Sequence, residues 1–349
     1  MKQRPRHPTT VARRLAAVII TGVTFYVIFP ALLRVASAWP HLSSLAPAWL
    51  LLVLGAESIS FFCSVALQRL VLRISSWFVV TTASLAGNAV TNVLPGGDAV
   101  GASVQYQMLV KGGIDSVQAA SGLATSSLLG IAGLFALPVF ALPAILGGLS
   151  VKAGLEFAAL LGLGGLVLIV ASAVVILRSD RVLRSLASFL QWLVNRLHRR
   201  RVSSDDLAAR LLSQRNLVRS DLGKNWQKAV LWISGRIGFD YLCLLAALRA
   251  AGARPNPSLV LLAYAATAVI ALVPLTPGGL GIVEASLSGL LVLAGVKASN
   301  AVLATLAYRL ASYWMPIVAG TISYALFRRR FGTVTMSCPD SQPIRPVTP

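Results

Sequence analysis

Apolar residues fall in long uninterrupted runs, not in alternation, and the runs predict bilayer-spanning helices. Residues 15–33, 47–68, 116–137, 154–177, 229–248 and 299–327 each approach or exceed the ~18–20 residues that a crossing needs. Two further runs are interrupted. Segments 77–94 and 98–110 are separated by Leu94-Pro95-Gly96-Gly97-Asp98, with Asn88 and Asn92 just before it. Segments 258–275 and 281–294 are separated by Leu275-Thr276-Pro277-Gly278-Gly279-Leu280-Gly281, with Glu284 just after it. Proline removes a backbone donor and paired glycines loosen the chain, so each phrase predicts a helix break. Within lipid, broken backbone is tolerated only where it is buried in protein or lines a wet cavity.

Composition agrees with the pattern. The 349 residues are 56% hydrophobic and 12% charged, with mean hydropathy +0.76. This is a polytopic all-α membrane protein, with about six full spans plus two re-entrant helical hairpins, 77–111 and 258–295. The basic N-terminus is followed by an apolar run longer than a signal-peptide core, so an uncleaved first helix is expected. Cys63, Cys243 and Cys338 have no CxxC or metal-ligand spacing, and His7, His41 and His198 form no cluster. Neither a metal nor a cofactor is expected. No Walker loop, HExxH or nucleophile elbow occurs, so no soluble catalytic centre is expected.

The net charge of +20 would suggest nucleic acid in a soluble protein, but here its placement decides. If both broken segments are re-entrant, residues 1–14, 69–76, Lys111, 178–228 and 328–349 share one side. That side holds 24 of the 31 basic residues, against Arg34, Lys152, Arg249, Arg254 and Lys297 opposite. The bias places both termini in the cytoplasm. It also aims the two hairpins at each other from opposite faces, as in an inverted repeat with a midplane site. A second reading, with 77–94 and 258–275 as full spans, stays open. The 178–228 loop carries twelve Lys or Arg against four Asp. Its first part, 181–201, reads as a basic amphipathic helix for an anionic surface or for packing within the loop. A second helix is expected to start at Ser203-Ser204-Asp205-Asp206. The tail after Arg328-Arg329-Arg330 reads as disordered.

The two breaks align without a gap at an offset of 182. Pro95-Gly96-Gly97 meets Pro277-Gly278-Gly279, Gly113-Ile114 meets Gly295-Val296, and Ala119 meets Ala301. A duplicated unit divides the chain into a first membrane half, 15–177, and a second, 229–327.

Charges inside spans are costly and are candidates for function. They are Glu57, Asp98, Arg236, Asp240, Glu284 and Arg309. Arg236 and Asp240 lie four apart and are expected to neutralise each other on one helix face. Asp98 follows its glycines directly and suits a helix N-terminus. Glu284 is expected deeper in its helix, where capping fits less well. Arg309, with Tyr308 beside it and Tyr313 and Trp314 one turn on, can bind a phosphate or carboxylate, or can neutralise Glu284.

Three stretches carry a family resemblance: Asn88 to Asp98 (N-x3-N-x-L-P-G-G-D), Pro277-Gly278-Gly279-Leu280-Gly281-x-x-Glu284, and Tyr308-Arg309-Leu310-x-x-Tyr313-Trp314-x-Pro316 with Gly320. Together they resemble the lysylphosphatidylglycerol synthase transmembrane-region family, a flippase-type membrane domain. The first motif departs from the family, which often has Gly-Glu followed by Arg where Asp98 stands alone. The resemblance implies eight or so membrane segments and movement of a lipid, or lipid-linked group, across a bacterial inner membrane. The soluble aminoacyl-transferring domain of the full-length synthases is missing, so no lysyl-lipid synthesis is expected. Expected partners are anionic or phosphate-bearing membrane lipids, with a lipid- or glycan-modifying enzyme as a further one and no nucleic acid; oligomeric state is left open. The expected substrate contacts are Asn88, Asn92, Asp98, Arg236, Asp240, Glu284, Tyr308 and Arg309, with hairpin breaks at Pro95, Gly96, Gly97, Pro277, Gly278 and Gly279. The alternatives are a membrane-embedded transferase acting on a lipid-linked substrate and a non-transporting partner of a biosynthetic enzyme.

Overall fold

The computed structural model describes residues 47–94, 97–146, 204–272 and 276–332, and helical backbone at 164, 167 and 171; at 47, 138–146 and 204–224 it describes backbone alone. Among these residues every regular element is helical. The expected span 15–33, all but three residues of 154–177, the 181–201 helix, the break residues Pro95 and Gly96, and the tail beyond 332 lie outside the described residues.

Helix α1 is Pro47–Leu72. Helices α2 (Trp77–Val93) and α3 (Gly97–Lys111) form the first hairpin. At about 1.5 Å per residue, 17 and 15 residues reach only about 25 and 22 Å, short of a ~30 Å hydrocarbon core. Helix α4 is Ser116–Leu146 and α5 is Ser204–Ala250. Helix α6 (Pro257–Ala271) starts on Asn256, whose side chain accepts from the Ser258 amide at 3.0 Å, with Pro257 in the first turn where its missing donor costs nothing. After the 3-10 turn Pro277–Gly279 come α7 (Ile282–Leu293) and α8 (Ala298–Arg309). A π turn, Leu310–Trp314, joins α8 to α9 (Met315–Phe331). Among the described residues, four stretches are long and apolar enough to cross a membrane: Ala48–Leu72, Ser116–Leu137, Asn225–Ala250 and Ala298–Phe331.

Helical backbone from Ser204 meets the span Asn225–Ala250 at a kink with non-helical dihedrals at Asn225, three residues from the expected end of the loop. One element differs from the sequence expectation. The last span, expected to be continuous, contains the π turn, which inserts extra backbone just before Pro316.

The small residues of α2 are used on two sides. Against α3, a Cβ on Gly101 would lie 2.5 Å from the Gly87 carbonyl oxygen and 2.1 Å from Thr91 Oγ1. Against α9, a Cβ on Gly320 would lie 2.2 Å from the Leu85 carbonyl oxygen and 2.5 Å from Ala89 Cβ. Backbones therefore meet almost directly, the packing that small residues permit where lipid gives no hydrophobic drive.

Among the described residues, buried side chains form a small cluster of Leu280 and Tyr313 and two large cores. One gathers α5 to α8 with Val53 and Ala56 of α1 and Leu137 of α4. The other gathers α2 and α3 with Val65 and Leu72 of α1, Ala119 of α4 and Phe327 of α9. The last span thus begins in one core as α8 and ends in the other as α9, with the π turn between.

Among the described residues, three helices end on the same glycine cap, at Gly113, Gly252 and Gly295, and the first and last of these lie at the 182-residue offset. Gly113 and Gly295 have φ +94° and +92°, a left-handed conformation that favours glycine. Their amides donate to Val110 and Val292 carbonyls, each at 3.0 Å, and the next amides, Ile114 and Val296, reach back to Leu109 and Leu291 at 3.1 and 3.0 Å. Both helices end by the same glycine C-cap. The copies differ at the break. Helix α3 starts at Gly97, directly after the first break, whereas the second inserts a 3-10 turn before α7.

Candidate functional site

The second break is shaped by three glycines in the left-handed region: Gly278 (φ +53°), Gly279 (φ +69°) and Gly281 (φ +83°). Thr276 Oγ1 donates to the Leu280 carbonyl at 2.9 Å and closes the loop. At Gly278 the requirement is double. Its φ disfavours a side chain, and a Cβ there would lie 2.4 Å from Tyr313 Cε2 and 3.1 Å from Asn92 Cα. The second break therefore rests directly on the end of α2, beside the first.

Asn92 and Tyr313 tie this contact. Tyr313 Oη donates to the Asn92 carbonyl at 2.8 Å, and Asn92 Nδ2 donates to the Tyr313 carbonyl at 3.2 Å. Tyr313 lies in the π turn and is fully buried against Leu280, Trp314 and Ile317. Its ring carries Arg309, whose Cζ sits 4.5 Å from the ring centroid, a cation–π geometry.

Arg309 is the hub. Its Nε donates to Glu284 Oε1 at 2.7 Å and its Nη2 to the Gly278 carbonyl at 2.8 Å. The two side chains are 12% and 17% exposed, so they form a largely desolvated, neutral ion pair. Of the two uses expected for Arg309, pairing with Glu284 is the one observed. Glu284 also caps its helix: Oε2 accepts from the Gly281 amide at 2.5 Å. This corrects the expectation that Glu284 lies too deep to cap. The 3-10 turn delays α7 to Ile282, which leaves Glu284 in the first turn.

The remaining candidates separate. Asp98 is exposed in the first turn of α3. Asn88 turns back on its own helix and donates to the Ser84 carbonyl at 3.0 Å. Asp240 is not neutralised by Arg236. It accepts from the hydroxyls of Tyr264 and Tyr308, the latter at 3.0 and 3.1 Å from its two oxygens. Arg236 instead faces α4, where a Cβ on Gly130 would lie 2.9 Å from Nη1. Buried Glu57 is brought to Asp240 and Cys243 by the close packing of α1 on α5. Ser60 of α1 donates to the Arg236 carbonyl at 2.9 Å, and a Cβ on Gly235 would lie 2.9 Å from Cys63 Sγ.

Two clusters result: Asn92, Gly278, Glu284, Arg309 and Tyr313 between the breaks, and Glu57, Asp240, Tyr264 and Tyr308 one helix away. Sequence reasoning did not find Tyr264. Its one signal was a phenol inside an apolar run, and the partner lies in another helix.

Residues 15–320 match the family model described as lysylphosphatidylglycerol synthase TM region. No curated protein and no solved structure matches the chain. The match spans most of the 349 residues and includes both breaks and the Arg309–Glu284 pair, so the chain belongs to the lysylphosphatidylglycerol synthase transmembrane-region family.

Proposed function

We propose that this protein moves a membrane lipid, or a lipid-linked group, between leaflets, and that Arg309 takes the phosphate of the headgroup in exchange for Glu284. The reading is carried by one observation: the sole charge pair between the breaks joins a guanidinium to a carboxylate at 2.7 Å, among the described residues. A phosphate offers the same acceptor geometry as that carboxylate. It can displace Glu284 without leaving Arg309 uncompensated in a medium where an unpaired charge is costly. Asn92 and the backbone of 276–281 then line the headgroup, with Asp98 adding negative charge near the first break. Family membership supports a role in lipid modification or translocation. The positive-inside bias supports a bacterial inner-membrane location with both termini cytoplasmic.

The test is a vesicle assay. Purified protein is reconstituted with fluorescent phosphatidylglycerol or phosphatidylethanolamine, and movement is read by quenching of the outer leaflet. Wild type is expected to exceed empty vesicles, Arg309→Ala to fall to their rate, and Glu284→Gln to remain above it. Wild-type vesicles no faster than empty ones with either lipid, or an active Arg309→Ala, would falsify the reading.

A further inference from the structure

Helix α1 is closed by a left-handed residue, the place where glycine is usual. Here that residue is Arg73 (φ +54°), the one non-glycine of positive φ among the described residues. Its amide donates to the Leu70 carbonyl at 3.4 Å, and the Ile74 amide to the Arg69 carbonyl at 3.3 Å. Glycine would hold this cap without steric cost, so the cap alone gives no reason for a side chain here.

The side chains around the cap enclose a cavity of about 390 Å³. Arg69, Arg73, Ser75 and Trp77 line it from the α1–α2 turn, and Trp232 lines it from α5. Small-ligand sites occupy ~300–1,000 Å³. Arg73, Ser75 and Trp77 are exposed, so the cavity opens outward. Arg69 is fixed within it. Its Nε donates to the Ile74 carbonyl at 2.9 Å, and its Cζ lies 4.3 Å from the Trp77 ring centroid. Trp77 stacks on Phe62 with centroids 5.4 Å apart, and Phe62 meets Trp232 edge-on at 6.0 Å. These contacts set the plane of the guanidinium but use only Nε as a donor. Nη1 and Nη2 make no hydrogen bond among the described residues. A guanidinium held in this way presents a fork that two phosphate oxygens match.

Depth selects the source of the phosphate. Arg69 lies three residues from the end of the Ala48–Leu72 span. Trp232 lies seven residues, about 10 Å, inside the Asn225–Ala250 span. The charged end of the cavity is therefore at headgroup level, and its aromatic wall is where acyl chains begin. On the orientation that the charge bias favours, this edge faces the cytoplasmic leaflet, which is rich in anionic lipid.

We propose that this cavity binds an anionic glycerophospholipid of that leaflet. Arg69 takes the phosphate through Nη1 and Nη2, Arg73 and Ser75 face the rest of the headgroup, and Phe62 and Trp232 receive the upper part of the chains. A choline headgroup brings its own cation against the two arginines and is disfavoured. The site is remote in sequence from both breaks and does not rest on the translocation reading above.

Native mass spectrometry of the delipidated full-length protein reads binding without movement. Dioleoylphosphatidylglycerol is expected to bind wild type at least about tenfold more tightly than Arg69→Gln, the worth of a charge-assisted hydrogen bond. Ser75→Glu should weaken binding in the same direction by repulsion. It leaves every contact of Arg69 in place, so it carries the test if Arg69→Gln does not fold. Dioleoylphosphatidylcholine should bind wild type more weakly than the glycerol lipid. Glycerol phosphate, which has the anion without the chains, should not displace the lipid at equal concentration. The proposal is overturned if either folded variant holds phosphatidylglycerol as tightly as wild type, or if phosphatidylcholine binds equally well. Displacement by glycerol phosphate at equal concentration would also overturn it, because the ligand would then be a soluble anion. Each of these outcomes leaves the vesicle assay of lipid movement to be decided separately.

Discussion

Arg309 meets Glu284, the Gly278 carbonyl and the Tyr313 ring at once, so its loss should leave more than one group unsatisfied. Removing one partner of a buried pair costs about 3–5 kcal/mol, chiefly through the charge left behind. Arg309→Met and Glu284→Gln are each expected to lower the thermal midpoint of the detergent-solubilised protein. The double variant should lose less than the sum, with a coupling of about 1–3 kcal/mol. Strict additivity would show that the pair contributes nothing. The pair was legible as an option in sequence, because an arginine and a glutamate inside apolar runs need partners. The Asp240 grip was not. Spacing of four along one helix points to Arg236, whereas Tyr264 and Tyr308 arrive from helices whose positions no local pattern encodes. Capping by Glu284 was misjudged because the 3-10 turn, not the proline, sets where α7 begins.

The element that departs most from expectation is the π turn. Hydropathy over 299–327 reads as one span, since an inserted residue changes no composition. In the fold the insertion seats Tyr313 against Asn92 while α8 and α9 pack in different cores. Deleting Ser312 would convert the π turn to continuous α-helix, with the flanks keeping nearly their relative orientation but the bulge that seats Tyr313 against Asn92 lost. Far-UV circular dichroism is expected to stay helical, while the thermal midpoint falls and lipid movement in vesicles stops. Wild-type movement by the deletion variant would show that the turn has no part in the site. The second break was legible in Pro277-Gly278-Gly279, and the small residues of α2 correspond to observed close backbone contacts.

At the scale of the molecule, charge placement makes an orientation testable with a native probe. Cys63 and Cys243 are buried, whereas Cys338 lies in the polar tail sequence. A membrane-impermeant maleimide is expected to leave intact spheroplasts unlabelled and to label inverted vesicles, with Cys338→Ser abolishing the signal. Labelling of intact spheroplasts at Cys338 would place the C-terminus outside. The division into two large cores was not legible, because α1 and α4 each pass from one core to the other part-way along their length without any change in residue type. Val53 and Val65 look alike in sequence and belong to different halves of the interior.

The seat of Gly320 on Leu85 has one more consequence. Seven residues separate Leu85 from Asn92 on α2, and seven separate Tyr313 from Gly320 on the other strand of the pair. The two helices therefore run antiparallel in matched register, like two rulers laid edge to edge with the glycine as their zero mark. The distance from seat to tie is fixed by a residue count on each ruler. A single insertion or deletion between Leu85 and Asn92, or between Tyr313 and Gly320, would leave the zero mark in place and carry Tyr313 off Asn92.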